Sequence, residues 1–126
     1  RVTVRPALAY PEYCALLESA DLVLDSWGWS GGLTSLDALC LGVPVLTWPG
    51  ALMRGRQTLA MLRAIGIPEL VADDGDDYCR RAIAFARDPA ARAALKPRLD
   101  AARTLIEDDA PARAAVIDFF RSLRTP

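Results

Sequence analysis

The chain has 126 residues, of which 52% are hydrophobic, so it is long enough to bury a core and fits the globular class. Its 15 basic and 16 acidic residues nearly cancel, which argues against a general attraction to nucleic acid or to an anionic membrane. The sequence contains no histidine, so the commonest general base and metal ligand is missing from any mechanism confined to this chain.

The three cysteines, Cys14, Cys40 and Cys79, lie in apolar helical patterns without the close Cys/His spacing of metal sites. An odd set of this kind predicts buried free thiols in a reducing compartment, so we expect a cytoplasmic protein. No apolar run reaches the length of a membrane span, and no basic-then-apolar leader opens the sequence. We therefore expect neither a membrane nor a nucleic acid among its partners.

Strands and helices are predicted to alternate through the first half of the chain. The predicted strands cover residues 2–5, 22–24, 44–48 and 69–72, and the predicted helices between them cover residues 11–20, 33–41 and 54–65. Gly42 is placed to end the second helix in a left-handed conformation. This order predicts an α/β fold with a parallel sheet and right-handed crossovers. Because such a small sheet leaves an edge strand open, we expect further strands from upstream sequence or another molecule.

The second half of the chain is predicted to be helical. An acidic cluster from Asp73 to Asp77 suits a helix start, and Asp88-Pro89 and Asp109-Ala110-Pro111 mark two further starts. We therefore divide the chain into a β/α core over residues 1–72 and C-terminal helices over residues 73–126.

The loop after the second strand is the best candidate for a ligand site, because parallel sheets bind ligands beyond the carboxyl ends of their strands. A double glycine, Gly31-Gly32, precedes a predicted helix whose first amides, Leu33 to Ser35, have no intrahelical acceptor. We expect the two glycines to adopt positive φ and to let the backbone approach a ligand. An anion such as a phosphate fits the positive end of this helix.

A hydroxyl and a carboxylate share one face of the same helix, since Thr34 and Asp37 are three residues apart. An ionised carboxylate accepts hydrogen bonds, and adjacent ribose hydroxyls can donate two, so the spacing suits a nucleotide. The alternative is that Ser30 or Thr34 caps the helix and that Asp37 merely favours its dipole.

Aromatic and basic side chains surround the same rim. Trp27, Trp29 and Trp48 could wall a sugar or base pocket, although burial of their faces against the sheet is the favoured interpretation. Arg54 and Arg56 could reach a diphosphate as a charged fork, or could simply be solvated.

The string from Ala20 to Gly50 resembles the O-linked N-acetylglucosamine transferase family. That family has an aspartate-containing strand, an aromatic or proline loop, Asn-Gly-His-or-Gly-Thr-Thr, then Asp-Ala-Leu-Trp-x-Gly-Val-Pro-Val-Val-Thr and Pro-Gly. The chain reads Ser-Gly-Gly-Leu-Thr-Ser and Asp-Ala-Leu-Cys-Leu-Gly-Val-Pro-Val-Leu-Thr-Trp-Pro-Gly at these places. The similarity continues through Arg56 and the Gly-Ile-Pro-Glu-Leu-Val-Ala segment that ends at Ala72.

The resemblance implies a GT-B glycosyltransferase with two Rossmann-like lobes, of which this chain is part of the C-terminal, donor-binding lobe. The implied donor is UDP-N-acetylglucosamine or a related UDP-sugar, the acceptor a protein Ser/Thr hydroxyl, and no metal or other cofactor is needed. An upstream lobe, and in some members helical tetratricopeptide-type repeats, would complete the enzyme, so the isolated chain is expected to be inactive.

The resemblance also assigns roles by motif position. It matches Asp37 with the ribose-binding aspartate, residues 32–34 with the diphosphate-binding turn, and Tyr13 with the residue whose ring packs on uracil. The positions assigned to donor binding are Leu8, Tyr10, Tyr13, Gly32, Leu33, Thr34, Asp37 and Arg56. Ser30 replaces the usual Asn, and Leu33 replaces a threonine, which removes one side-chain phosphate contact and leaves the amide. Two further positions depart from the pattern: Ser35 stands where Gly or Thr is usual, and Leu16 replaces a polar residue found in some members.

These departures leave a second hypothesis open, a non-catalytic nucleotide-binding or interaction module of the same fold. A dinucleotide-dependent oxidoreductase is disfavoured, because the glycines do not follow the Gly-x-Gly-x-x-Gly spacing directly after a strand.

Overall fold

The computed structural model of the protein describes residues 2–107 and 109–123. The strands are β1 (Val23–Leu24) and β2 (Val45–Leu46), and the α-helices are α1 (Tyr10–Glu18), α2 (Leu33–Cys40), α3 (Gln57–Ala64), α4 (Gly75–Arg87), α5 (Pro89–Glu107) and α6 (Ala110–Ser122). Two short 3₁₀ turns, Met53–Gly55 and Pro68–Leu70, complete the described elements.

The sheet is parallel, as predicted, but it is shorter than the sequence pattern indicates. β1 pairs with β2, with Val23 opposite Val45, and a parallel bridge joins Thr47 to Val71. The strand predicted over residues 69–72 is wrong except for this bridge. The amide of Val71 donates to the carbonyl of Pro68 at 3.0 Å and closes a 3₁₀ turn, so that amide cannot extend a ladder.

The first predicted strand is also wrong. No strand or helix is present between Val2 and Ala9, and Val2 and Val4 are both 91% exposed. A strand exists only when a neighbour accepts and donates its backbone hydrogen bonds, and within residues 2–107 and 109–123 β1 pairs with β2 alone. The β-branched pattern of residues 2–5 indicates a preference for extended backbone but supplies no partner.

The helices agree with the predictions to within a few residues. α2 is the central helix, packing against α1, α3 and α5, and its Ala38 and Leu39 are fully buried. Gly42 adopts φ +74° immediately after α2, which confirms the predicted left-handed helix end. The aspartate-led starts of α4, α5 and α6 are confirmed as well.

One hydrophobic core joins the sheet to the helices that pack against it. The helix α5 contributes Leu95 and Leu99 to the same cluster as Val45 of β2 and Leu62 of α3. Burying side chains of this size stabilises the fold by roughly 2 kcal/mol each. The carboxyl ends of the strands, where the candidate site lies, are therefore supported by this packed core.

The prediction that the three cysteines are buried is wrong. Cys14 and Cys40 are half-buried and Cys79 is exposed. The apolar stripe of α6, with Val116, Phe119, Phe120 and Leu123, is exposed too.

Candidate functional site

The N-terminus of α2 has no side-chain cap. Its first intrahelical hydrogen bond runs from the Leu36 amide to the Gly32 carbonyl at 3.1 Å, and no side chain caps the helix at Gly32. The amides of residues 33–35 therefore lie at the positive end of the helix, ahead of the hydrogen-bonded turns. The interpretation of Ser30 or Thr34 as a helix cap is wrong.

The space around the double glycine is small, most clearly at Gly31. A Cβ on Gly31 would lie 2.4 Å from the Ser35 Oγ and 2.8 Å from the Thr34 Oγ1, and a Cβ on Gly32 would lie 2.7 Å from the Gln57 Oε1. Positive φ is found at Gly28, Gly42 and Gly66 but at neither of these two glycines, so that prediction is wrong. A side chain at Gly31 would therefore collide with the hydroxyl groups in the first turn of α2, whereas the flexible end of Gln57 could move away from a side chain at Gly32.

Ser30 stabilises a different helix from the one proposed from its sequence position. Its Oγ accepts a hydrogen bond from the Thr58 amide at 3.0 Å, in the first turn of α3, and also contacts the Thr58 Oγ1 at 2.9 Å. Thr58 in turn contacts the Ser35 Oγ at 2.8 Å. This hydroxyl chain links the double-glycine loop, α2 and α3 into one unit.

The buried carboxylate of Asp25 is the centre of this network. It accepts hydrogen bonds from the Ser30 Oγ at 2.7 Å, from the Thr47 Oγ1 at 2.6 Å and from the Gly31 amide at 2.7 Å. Asp25 is only 8% exposed, and Ser30, Thr47 and Thr58 are buried with it. Hydrogen bonds to an ionised acceptor are worth about 1.5–3 kcal/mol each, so the network fixes the loop firmly to the strand ends.

This role of Asp25 was not predicted, although the sequence contains a signal for it. Asp25 and Thr47 each follow one of two adjacent parallel strands, and the observed register, with Leu24 opposite Leu46, sets them side by side. Polar residues directly after two neighbouring buried strands therefore predict a contact between them.

Tyr78 of α4 contacts the backbone of the same residue, Asp25, at the start of the loop. Its hydroxyl donates to the Asp25 backbone oxygen at 2.8 Å. Burial, and then the nearby Asp25 charge, raise the pKa of Tyr78 to about 12. The phenol therefore stays protonated at neutral pH and remains a hydrogen-bond donor.

The tryptophans on this rim are more exposed than predicted. Trp27 is 65% exposed and Trp29 69% exposed, so burial of their faces against the sheet is wrong for both. Trp27 stacks on the half-buried Trp48 with ring centroids 5.1 Å apart, and Trp48 lies against Gly75. The rim thus presents a flat aromatic surface beside the double-glycine loop.

Asp37 and Tyr10 lie together where α1 faces α2. The Tyr10 hydroxyl donates to the Asp37 Oδ1 at 3.2 Å, and its ring centroid is 6.3 Å from that of Tyr13. The neighbouring Cys14 side chain, and then the hydrogen-bonded Asp37 carboxylate, raise the pKa of Tyr10 to about 12. For Tyr13, burial and then the charge of Asp37 raise the pKa above its ordinary value of 10.0.

An open groove of about 240 Å³ runs between α1 and α2 at this point. Its lining consists of Tyr10, Cys14, Leu36, Asp37, Cys40, Leu41 and Arg103. Leu8 lies two residues before α1 and is half-buried. The structure therefore brings Tyr10 and Asp37 into one groove, with Tyr13 beside them, and places residues 32–34 one turn before Asp37.

Arg56 is not part of this groove. It is exposed at the start of α3, in a separate groove with Met53 and Arg63, beside the Gln57 that packs against Gly32. Leu33 is 68% exposed, so its side chain covers no part of the described core.

Within residues 2–107 and 109–123, no group of three or more metal-ligating side chains lies close enough together to hold an ion. No helix in this part of the chain combines the length and the apolar character needed to cross a membrane.

Parallel strands whose carboxyl ends carry a glycine turn, an uncapped helix and a carboxylate define a Rossmann-like α/β unit, which has the architecture of part of a GT-B fold. The chain belongs to glycosyltransferase family 41, because the profile described as Glycosyl transferase family 41 matches residues 3–107.

Relatives and a solved structure agree with this family. The chain is 30% identical over 104 residues to the UDP-N-acetylglucosamine–peptide N-acetylglucosaminyltransferase of Caenorhabditis elegans, covering 82% of this chain and 9% of that protein. It is 33% identical over 76 residues to a SPINDLY protein of Eustoma exaltatum subsp. russellianum, described as a probable enzyme of the same name, covering 60% of this chain and 8% of that protein.

The solved structure is the K341M mutant of the Thermobaculum terrenum O-GlcNAc transferase, with a TM-score of 0.82 and 33% identity. It covers 91% of this chain, whereas this chain covers 22% of that protein. The chain thus spans less than a tenth of the length of these two curated relatives and about a fifth of the solved one.

Proposed function

We propose that this chain is the donor-binding part of a glycosyltransferase that moves N-acetylglucosamine, or a related sugar, from a UDP donor to protein Ser/Thr. The observation that carries the proposal is the position of Asp37, one turn beyond the uncapped start of α2 and hydrogen-bonded to Tyr10. An anion site and a carboxylate acceptor one helical turn apart match the diphosphate and the ribose of one nucleotide.

In the proposed complex, the amides of residues 33–35 bind the diphosphate and the helix dipole stabilises it further. Asp37 accepts hydrogen bonds from the ribose hydroxyls, Tyr13 packs on the uracil ring, and Leu8 and Tyr10 line the base site. When the sugar is transferred, negative charge grows on the leaving diphosphate, and fixed amides stabilise that charge without having to reorganise. The Asp25 network supports catalysis by holding the loop that leads into these amides.

The remaining parts of the proposed enzyme lie outside this chain. A protein acceptor, an upstream Rossmann-like lobe and helical repeats are proposed by analogy with the relatives, as is a cytoplasmic location in keeping with cysteines that form no disulfide. No histidine is present here to act as the acceptor base. We propose that this base, too, is supplied by another part of the protein.

Titration calorimetry with UDP tests the proposal in a protein that joins this chain to its upstream lobe. We expect Asp37→Asn to weaken UDP binding by about tenfold to a hundredfold, because an amide replaces a charged acceptor that is worth about 1.5–3 kcal/mol. The matched control is Asp76→Asn, an exposed residue in the first turn of α4, which should leave the affinity unchanged.

The non-catalytic alternative is favoured by one observation, the exposed apolar side chain of Leu33 at a position where the family has a threonine. UDP affinity that is undetectable, and that Asp37→Asn leaves undetectable, would support this module and contradict the transferase. Leu33→Thr should then restore measurable UDP binding if only this side chain has been lost.

A further inference from the structure

A groove on α3 contains two arginine side chains that have no partner within the part of the chain that the structure describes. The groove has a volume of about 480 Å³, and its lining includes Arg56 and Arg63 but no Asp or Glu. Neither side chain makes an ion pair or a hydrogen bond with another described residue. Because a carboxylate is the usual partner of a guanidinium group, the groove has an unused capacity to bind anions.

The positive charge of this groove is local. The whole chain has 15 basic and 16 acidic residues and a formal net charge of −1 at pH 7, so it has no general attraction for anions. Other arginines are neutralised by their neighbours, as Arg92 is by Asp21 and Arg98 is by Glu69. Two unpaired arginines in one groove therefore indicate a specific anionic partner.

An apolar side chain lies beside the two charges. Met53 also lines the groove and is 84% exposed, which leaves its thioether available to pack against an incoming side chain. A simple anion needs no such contact, whereas a peptide supplies both apolar and acidic side chains. Arginine and methionine are both enriched on surfaces that bind proteins, so the composition of the groove favours a peptide.

The groove continues from the proposed diphosphate site. Gln57 lines it, and the Gln57 Oε1 lies 2.7 Å from the position of a Cβ on Gly32, directly before α2. The Ser30 amide donates to the Arg54 carbonyl at 2.8 Å, which joins the two loops a second time. A peptide segment in the groove would therefore lie next to the bound donor.

We propose that this groove binds the acceptor, as an extended peptide segment whose acidic side chains lie close in sequence to the Ser/Thr hydroxyl. The inference rests on the proposed function, since it names the class of acceptor for the same site. Arg56 and Arg63 bind the carboxylates of the segment, and Met53 contacts one of its apolar side chains.

The spacing of the two arginines defines the spacing of the acidic residues. Arg56 and Arg63 are seven residues apart, near the two ends of α3, which is roughly 10 Å along the helix axis. A peptide in polyproline II conformation has three residues per turn and rises about 3.1 Å per residue, so residues three apart lie on one side and roughly 9 Å apart. Two glutamates separated by two residues therefore fit the two guanidinium groups.

The test measures the binding of labelled peptides to this chain joined to its upstream lobe. One peptide carries Glu-x-x-Glu beside a serine, and its control carries Gln-x-x-Gln at the same places. We expect the acidic peptide to bind about threefold to tenfold more tightly at low salt, as two exposed ion pairs allow, and the difference to shrink at high salt. Fluorescence anisotropy gives both affinities without requiring sugar transfer.

Matched substitutions locate the binding. Arg63→Gln should reduce the preference for the acidic peptide, and Arg56→Gln/Arg63→Gln should abolish it. The control is Arg87→Gln, because Arg87 is also an exposed arginine in the last turn of its helix, α4, but lies outside the groove. A benzophenone group beside the glutamates should crosslink to residues 51–63, which peptide mass mapping identifies.

Several results would overturn the inference. These are equal affinities of the two peptides, a preference that Arg56→Gln/Arg63→Gln leaves unchanged, and crosslinks found only outside residues 51–63. An oligonucleotide of equal charge that bound more tightly than the acidic peptide, through the same two arginines, would overturn it in favour of a nucleic acid. A parent that prefers the acidic peptide as expected but does not bind UDP would support the peptide groove and contradict the proposed function, which distinguishes the two failures.

Discussion

At the scale of single residues, the site depends on a carboxylate that does not contact the proposed ligand. Asp25 accepts three hydrogen bonds from Ser30, Gly31 and Thr47, and it does so while buried. Burying a carboxylate without a full set of hydrogen-bond donors would cost free energy. Each of the three donors therefore stabilises the carboxylate, and the carboxylate in turn fixes the orientation of each donor. The position of the Gly31 backbone, and hence of the α2 amides, follows from this network.

Removal of the Asp25 carboxylate should be among the more destabilising single changes in the chain. We expect Asp25→Ala to lower the free energy of unfolding by about 3 kcal/mol, because it leaves buried donors without an acceptor. Asp25→Asn, which keeps one acceptor oxygen, should cost about half as much. Urea unfolding monitored by tryptophan fluorescence measures both values.

The control for Asp25 is a carboxylate in an exposed ion pair. Asp118→Ala removes a partner of Arg121 on α6 and should change the free energy of unfolding by no more than about 0.5 kcal/mol. If Asp25→Ala lowered the free energy of unfolding no more than Asp118→Ala does, the network would make no measurable contribution to stability.

At the scale of secondary structure, α4 anchors the loop through its first turns. Asp74 is its N-cap and accepts a hydrogen bond from the Asp77 amide at 2.8 Å, and Tyr78, in the next position, donates to the backbone of Asp25. A helix that begins at a fixed residue places Tyr78 at a fixed distance from the sheet. The N-cap of α4 therefore helps to fix the position of Tyr78 and, through Tyr78, the position of the loop at the candidate site.

The cap can be tested with two neighbouring aspartates. Asp74→Ala should destabilise the protein by about 1 kcal/mol, the usual cost of losing an N-cap side chain. Asp76→Ala, which removes an exposed carboxylate of the same first turn but no capping bond, should cost about 0.3–0.5 kcal/mol through the helix dipole. Equal losses in chemical denaturation would show that the dipole, and not the cap, is what matters at this helix start.

Asp77 should give stability a dependence on acid pH. Hydrogen bonds from Arg81 and then from the Asp73 amide lower the pKa of Asp77 below its ordinary value of 3.8. Because the folded state favours the ionised form, this stabilisation is complete above the unfolded pKa and is lost as pH falls through the lower folded value. The difference in melting temperature between the parent and Asp77→Asn should therefore be present at neutral pH and should shrink in strong acid.

A difference between parent and Asp77→Asn that stayed constant down to strong acid would contradict this account. It would mean that the effect of the substitution comes from packing, which does not titrate. Thermal melts followed by circular dichroism over the acid range distinguish the two cases.

The fold was largely predictable where local signals decide the structure. Helix starts at Asp74, Pro89 and Asp109 and helix ends at Gly42 and Gly66 follow from capping preferences that act within a few residues. The strand predicted over residues 2–5 failed because pairing needs a partner that the local pattern does not contain.

The site was predictable only in part for the same reason. The start of α2 after the double glycine and the position of Asp37 one turn later can be predicted from adjacent residues, whereas the absence of a side-chain cap cannot, because Ser30 and Thr34 are both suitable capping residues. The contact between Asp25 and Thr47 is indicated only by their positions after two neighbouring strands, and the hydrogen bond from Tyr78 to Asp25 has no local signal, because Tyr78 is 53 residues away along the chain. The exposure of Trp27 and Trp29 likewise depends on how the loop is tied to the strands, and not on the hydrophobicity of the side chains.

At the scale of the whole molecule, the chain has a complete core but only a part of the proposed enzyme. Its core packs sheet and helices together, while it spans 22% of the solved relative. The proposed donor site lies entirely within residues 8–56, so nucleotide binding can be examined separately from sugar transfer. Catalysis would require the acceptor and base from elsewhere.

UDP should therefore stabilise this chain although the chain alone should not transfer sugar. A ligand that binds only the folded state at about a hundred times its Kd raises stability by about 2.7 kcal/mol, which is seen as a rise in melting temperature. Uridine, which lacks the diphosphate, should give a much smaller rise at equal concentration, because it leaves the amides of residues 33–35 empty. Equal rises would show that α2 binds no phosphate, whereas a UDP effect that Asp37→Asn reduces and Asp76→Asn does not would locate the ribose at Asp37.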